Sequence, residues 1–375
     1  MSRDPVRLDV HPQLECAETL AARFYSDPAI LTLEKSNIFL RTWQLAGTLS
    51  QPCGEIDGKK RTIAEPETYF TTDMVGEPVV VVRDNSGTLR AFSNVCRHRA
   101  GPITQGSGCR GVFNCAYHGW TYTLDGRLIG TPEVDGVEFF DRSAMGMVRL
   151  RCETWQQFIF VNFDLNALPL SEYLGNIPQL SSAFPFQGLS LAERRDYCVN
   201  CNWKVYVDNY LEGYHIPVVH PGLMKEIDYA SYRCETFRYH SRQIGPVKDL
   251  KPGDRHERVY PPGSGLPEAL YFWVFPNLML NIYPDNIQVN IIVPLTHEKT
   301  LTIFEWYFHD AGAEATRKRA AKAIAFSDTV QSEDMRICEA VQRGLRSATY
   351  DRGRYSVKRE NGVHHFHRLL AEFLT

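Results

Sequence analysis

Two short mixed pairs, Cys96-x-His98 and Cys115-x-x-His118, constrain this chain more than any other feature. Each follows a run with strand texture. Pro78 to Val82, the turn signal Asp84 to Gly87, and Leu89 to Val95 read as strand, tight turn and strand. Trp120 to Leu124 and Arg127 to Ile129 flank Asp125-Gly126, a favoured pair for a two-residue hairpin turn. Two loops at strand ends can therefore each present one thiol and one imidazole to a common centre. Residues 43–160 read as a small all-β domain built around them.

Two chemistries use such a donor set. Zinc sites of the finger type usually keep cysteines together and histidines together. Here each arm is mixed, which suits a Rieske [2Fe–2S] cluster, where thiolates hold one iron and imidazoles the other. Cys109 lies between the arms but outside the spacing and reads as a bystander.

A second constellation spans Asn202 to His220. On a helix, Asp208, Glu212 and His215 fall at i, i+4 and i+7 and share one face. Pro217 is expected to end that helix near Ile216, letting His220 swing back from an irregular segment. Two imidazoles with a carboxylate, leaving open positions, form the pattern of a non-haem iron(II) oxygenase. A strand at Gln157–Asn162 and a loop-rich stretch, Pro169–Gly188, precede this region. Strands are expected near Leu270–Phe275, Leu278–Tyr283, Gln288–Pro294 and Thr300–Phe308, with a helix from Ala313 to Arg346 and a short one at His364–Leu374. At the N-terminus, helices are expected at Ala17–Phe24 and Leu31–Leu40. Strands and helices in separate runs argue for an α+β second domain.

Composition narrows the partners. A formal charge of −3 gives no electrostatic case for nucleic acid. No apolar run approaches a membrane span, and the first residues lack the apolar core of a signal peptide. Ten cysteines in such a chain read as reduced thiols, and a cytoplasmic location is expected. No G-x-G-x-x-G follows a strand, so electrons must come from a separate protein.

With both constellations in view, the chain resembles the large (α) subunits of Rieske non-haem iron oxygenases over nearly its whole length. The resemblance implies 1–42 as an N-terminal helical segment packing on the catalytic domain, 43–160 as the Rieske domain, and 161–375 as a helix-grip (START-like) catalytic domain with an antiparallel sheet and a long C-terminal helix. It implies Cys96, His98, Cys115 and His118 as [2Fe–2S] ligands. It implies His215 and His220 as mononuclear Fe(II) ligands, with Asp334 as the third; spacing alone leaves Glu333 open beside it. Glu212 stands where the family has a carboxylate bridging to a cluster histidine of the neighbouring subunit, and glutamate there is similar to the carnitine-oxidising branch. Asn209 matches a family position close to the iron, and Asp208 reads as a supporting or solvated acid. The resemblance also implies a head-to-tail homotrimer, O2 as co-substrate and an NAD(P)H-dependent reductase as partner.

Phe275–Asn281, Cys338–Gly344 and His364–His367 are similar to the branch of the family acting on quaternary ammonium compounds. The implied function is hydroxylation of a C–H next to the nitrogen of a small choline-, betaine- or carnitine-like substrate. Aromatic faces are the natural cage for such a cation, and Tyr206, Tyr210, Tyr271, Trp273, Tyr283 and Trp306 are the candidates, with Phe272 and Tyr307 beside them. An aromatic substrate, hydroxylated or demethylated, is the alternative. A stand-alone electron carrier and a zinc-stabilised interaction protein are the remaining readings.

Overall fold

The computed structural model describes residues 8–246, 269–283 and 285–374. The chain divides into two compact units, one of residues 39–171 and one formed by the segment up to Ile38 together with Glu172–Thr375.

The strands of the first unit are, in chain order, β1 (Gln44–Thr48), β2 (Pro52–Ile56), β3 (Lys59–Thr62), β4 (Thr68–Met74), β5 (Glu77–Arg83) and β6 (Leu89–Ser93). They continue with β7 (Ser107–Cys109), β8 (Val112–Asn114), β9 (Thr121–Thr123), β10 (Leu128–Gly130), β11 (Arg149–Trp155) and β12 (Phe158–Asn162). One sheet runs β1-β12-β11-β6-β5-β4-β7, a second β10-β9-β8, and β2 pairs with β3.

The valine run of β5 explains why the main sheet is covered on both sides. Val79 and Val81 pack with Cys53, Phe70, Leu150 and Ile159. Val80 and Val82 pack with Phe92, Phe113, Trp120 and Tyr122. The period of two divides one strand between two cores, and each fully buried valine stabilises by about 1.5–3 kcal/mol. The second core also contains Cys96 and Cys115, so the packing that holds the sheet fixes both thiols. The expected hairpin at Asp125-Gly126 is present. Gly126 has φ +95°, and a Cβ there would lie 2.6 Å from the Phe92 ring.

The second unit holds the sheet β13 (Leu189–Val199), β14 (Arg233–Thr236), β15 (His240–Ile244), β16 (Leu270–Val274), β17 (Leu278–Ile282), β18 (Asn286–Thr296) and β19 (Lys299–His309). Its order is β13-β19-β18-β17-β16-β15-β14, and every pairing is antiparallel. The helices are α1 (Arg23–Ser26), α2 (Pro28–Glu34), α3 (Leu170–Leu174), α4 (Ile177–Leu180), α5 (Trp203–Tyr210), α6 (Ile216–Val219), α7 (Pro221–Glu226), α8 (Glu314–Leu345) and α9 (Asn361–Leu374). Along α8, Thr316, Ala320, Ile324, Gln331, Cys338, Gln342 and Leu345 are buried, a spacing that keeps one face inward over its whole length.

Three expectations are corrected. The helix expected at Ala17–Phe24 begins only at Arg23, because Thr19 N and Ala22 N donate to Gly353 O and Asp351 O and draw the preceding backbone into pairing with the C-terminal segment. The helix expected at Leu31–Leu40 starts earlier, at Pro28, where Asp27 caps it by accepting from Ala29 N at 2.8 Å. It then passes into a π turn at Lys35–Phe39. The stretch expected as loop at Pro169–Gly188 contains α3 and α4, whose Leu170, Tyr173, Leu174 and Ile177 are buried at helical spacing.

A buried ion pair ties α2 to α5. Lys204 and Glu34 are both fully buried, and Glu34 also accepts from Trp203 Nε1 at 2.8 Å. Burial pushes the Glu34 carboxyl up and the Lys204 amine down, each opposed by the other's charge.

Candidate functional site

The chemistry-bearing residues fall in two centres, one in each unit. In the first unit two loops repeat one local geometry. Cys96 N donates to Gly101 O at 2.8 Å, and Cys115 N donates to Trp120 O at 2.9 Å. Each cysteine carbonyl accepts from the amide four residues on, Ala100 N at 3.0 Å and Gly119 N at 2.9 Å. Those two residues carry positive φ, +56° and +71°. Asn94 secures the first loop, its Oδ1 accepting from Ile103 N and Thr104 N and its Nδ2 donating to Thr104 O.

The paired loops put the thiols inside and the imidazoles at the surface. Cys96 and Cys115 are buried, while His98 and His118 are exposed with ring centroids 4.5 Å apart. Trp120 stacks on His98 at 4.9 Å, and Tyr122 Oη lies 3.3 Å from Cys96 Sγ. Burial, and the neighbouring Cys96, push the Cys115 thiol up. Desolvation, with His98 and Arg99, holds His118 below the usual imidazole range and keeps a lone pair available. Two side-by-side buried thiols gain nothing from ionising unless cations share them. An inner sulfur pair and an outer imidazole pair fit the two unlike irons of a Rieske cluster. Cys109 stands apart, with its Sγ on Cys53 O at 3.1 Å.

In the second unit the expected single helix is replaced by shorter pieces. α5, capped by Asn202 Oδ1 on Lys204 N, stops at Tyr210. Glu212 is off the helix and turns back to accept from Tyr214 N and His215 N. Gly213 permits this turn, since a Cβ there would lie 2.5 Å from the Tyr232 ring. Pro217 sits in the first turn of α6 instead of ending a helix, where its missing N–H costs nothing. His215 precedes α6, and His220 lies between α6 and α7.

Donor atoms of His215, His220 and Asp334 all lie within 4.8 Å of one another. His220 Nε2 is 3.0 Å and His215 Nε2 3.7 Å from Asp334 Oδ1. The outer ring nitrogens are held by other acids. His215 Nδ1 meets Glu212 Oε1 at 2.6 Å, and His220 Nδ1 meets Glu333 Oε2 at 2.7 Å. Asn209 Nδ2 donates to Asp334 Oδ1 at 2.7 Å. Burial lowers the His220 imidazole, but Asp334 and Glu333 override it and raise the net value. Two neutral nitrogens and one carboxylate on one side of a cavity fit a mononuclear iron with open positions. Asp208 points elsewhere, accepting from Tyr25 Oη at 2.7 Å and lying 2.9 Å from His367 Nε2.

Beside the triad lies a cavity of about 500 Å³. Tyr206, Tyr210, Tyr271, Tyr283 and Trp306 line it. Trp273 does not; it is buried against Phe275 and Phe366, with its Nε1 on Pro276 O. Phe272 and Tyr307 are also absent from the lining. Sequence reasoning missed the carboxamides Gln243, Asn281, Gln288, Asn290 and Gln331, which do line it. The signal was present in β18, where Asn286, Gln288 and Asn290 alternate with Ile287, Val289 and Ile291.

Residues 186–375 match the ring hydroxylating alpha subunit (catalytic domain) family, and residues 56–141 match the Rieske [2Fe-2S] domain. Chloroplastic choline monooxygenase of Arabidopsis thaliana is 36% identical over 95% of this chain and 83% of its own length. The carnitine monooxygenase oxygenase subunit of Escherichia coli (strain K12) is 32% identical over 97% of both chains. The crystal structure of the quaternary ammonium Rieske monooxygenase CntA in complex with L-carnitine superposes with a TM-score of 0.82 at 30% identity, over the full length of both chains.

Proposed function

Because this chain belongs to the Rieske oxygenases of ring-hydroxylating alpha-subunit type, an oxidoreductase family carrying a Rieske [2Fe–2S] cluster and a mononuclear iron, we propose that it hydroxylates a C–H next to the nitrogen of a small quaternary ammonium compound. When bound, the two metal groups supply electrons and activate O2; one oxygen atom enters the C–H bond and the other leaves as water, with two electrons and two protons consumed. Hydroxylation at an N-methyl would release formaldehyde and a tertiary amine. Hydroxylation at the carbinol carbon of choline, one carbon further from the nitrogen, would give a hydrate that loses water to the aldehyde.

Cys96 and Cys115 would hold one cluster iron and His98 and His118 the other. His215, His220 and Asp334 would hold the mononuclear iron, with Glu333 and Glu212 fixing the imidazole orientations from outside. Asn209 would hold one Asp334 oxygen in place. Glu212 would accept a further N–H from a cluster histidine of a neighbouring copy in a head-to-tail homotrimer. Tyr206, Tyr210, Tyr271, Tyr283 and Trp306 would turn ring faces to the cation, each worth up to about 2 kcal/mol when desolvated. A separate NAD(P)H-dependent reductase would supply the electrons, in the cytoplasm. Among the described residues, no helix is long and apolar enough to cross a membrane.

The observation that carries this reading is the aromatic-lined cavity opening on the His215–His220–Asp334 triad. The test is O2 uptake by the holoenzyme with a surrogate reductase, offered choline, carnitine, glycine betaine and benzoates. Uptake matched to product formation with the ammonium compounds is expected. Matched uptake with a benzoate and none of the ammonium compounds would overturn the proposal.

A further inference from the structure

One wall of the cavity is a cross-strand row. Tyr271 of β16 stands opposite Asn281 of β17, Asn281 opposite Gln288 of β18, and Gln288 opposite Trp306 of β19. Asn290, two residues beyond Gln288, projects from the same face of β18. Asn281 and Asn290 are diagonal neighbours across the β17–β18 ladder, the spacing at which side chains can share one partner.

The hydrogen bonds of this row decide which atoms the wall presents. Asn281 Oδ1 accepts from Tyr210 Oη at 2.7 Å. Asn290 Oδ1 accepts from Gln288 Nε2 at 3.0 Å. Gln288 Oε1 in turn accepts from Ser327 Oγ at 3.3 Å. The acceptor ends are thus consumed inside the wall. Asn281 and Asn290, each 4% exposed and both lining the cavity, keep Nδ2 amino groups with no hydrogen-bond partner among the described residues. Both amino groups open onto the cavity, where an acceptor can reach them.

We propose that Asn281 and Asn290 form an acceptor subsite that selects quaternary ammonium substrates carrying a carboxylate over choline-type alcohols. This rests on the quaternary-ammonium reading and narrows it to zwitterions. A carboxylate offers two acceptor oxygens and no donor, matching two amino groups, whereas a hydroxyl offers one oxygen and brings a proton of its own.

The test is calorimetric binding of glycine betaine, carnitine and choline to the iron-loaded holoenzyme, for the unmodified chain and for Asn281→Leu, Asn290→Leu and Asn290→Asp. The unmodified chain should bind the carboxylates at least about tenfold more tightly than choline, the weight of a hydrogen bond to a charged group. Each leucine variant should reduce that ratio about tenfold or more, and Asn290→Asp should reduce it further by repelling the carboxylate. Cluster absorption and far-UV dichroism identify any variant that has not folded, and Asn290→Asp, which preserves shape, covers that case. Equal binding of choline and carboxylates, or a ratio indifferent to all three substitutions, would overturn the subsite while leaving the quaternary-ammonium reading intact. Failure of every ammonium compound to bind or turn over would sink both.

Discussion

Glu333 holds Nδ1 of His220 at 2.7 Å, on the opposite side of the ring from the nitrogen that faces Asp334. Neighbours in sequence, the two acids therefore grip one imidazole from both ends. The outer acid sets the tautomer by accepting Nδ1–H, which leaves the Nε2 lone pair on the Asp334 side, free for the iron proposed there.

Removing that outer grip should weaken the iron site without touching the cluster. Glu333→Ala is expected to lower mononuclear iron affinity about 10–100-fold, read as iron retained against a chelator. The visible absorption of the cluster should stay constant. Equal iron retention in the variant and the unmodified chain would show that Glu333 has no part in holding His220.

Glu212→Gln keeps the shape of the side chain and removes its charge. Both metals should remain bound, while reoxidation of a pre-reduced cluster in single-turnover experiments should slow by about tenfold or more. His215→Ala, by contrast, should lose mononuclear iron while the cluster spectrum persists.

Glu34→Ala should strand a charge, because Lys204 would remain buried without its ion-pair partner. The expected cost is about 3–5 kcal/mol, read in a denaturant titration. A double replacement, Glu34→Leu with Lys204→Met, should recover most of it. A double variant no better than the single one would assign the loss to packing.

Acid should destabilise the second unit through His240 and His365. Burial lowers both to about 4, helped for His240 by His365 and for His365 mainly by Arg368. Both imidazoles are neutral above about pH 6.5 in folded and unfolded chains, so their contribution is complete there. Between about pH 6.5 and 4 the unfolded chain takes up protons that the folded chain refuses, and stability falls. Thermal midpoints measured across that window should drop, and His240→Gln should shallow the slope.

The residues that come together in the two candidate centres were legible because ligand chemistry demands particular residue types at short spacing. How the backbone delivers them was less so. Pro217 can end one helix or sit in the first turn of the next, and in the structure α5 has already stopped at Tyr210, leaving Pro217 to open α6. Asp208 shares a helical repeat with Glu212 and His215, yet Tyr25 and His367, distant in sequence, claim its carboxylate. Tyr271 and Trp273 share one face of β16, but Trp273 lies against α9 at Phe366 while Tyr271 reaches the cavity. Strand parity gives the face; depth along the strand needs three dimensions. β13 was missed because its outward positions carry charged pairs such as Arg194–Asp196, which mask the alternation of an edge strand.

The unit built from two segments separated in sequence has a consequence for biosynthesis. Residues 39–171 emerge from the ribosome as one uninterrupted stretch and can close upon themselves while translation continues. Thr19 and Ala22, made earlier, find their partners Gly353 and Asp351 only after all the residues between them have been made. The leading segment must wait unpaired through that interval, so a nascent chain stalled before residue 351 would carry a finished electron-transfer module on an unfinished oxygenase.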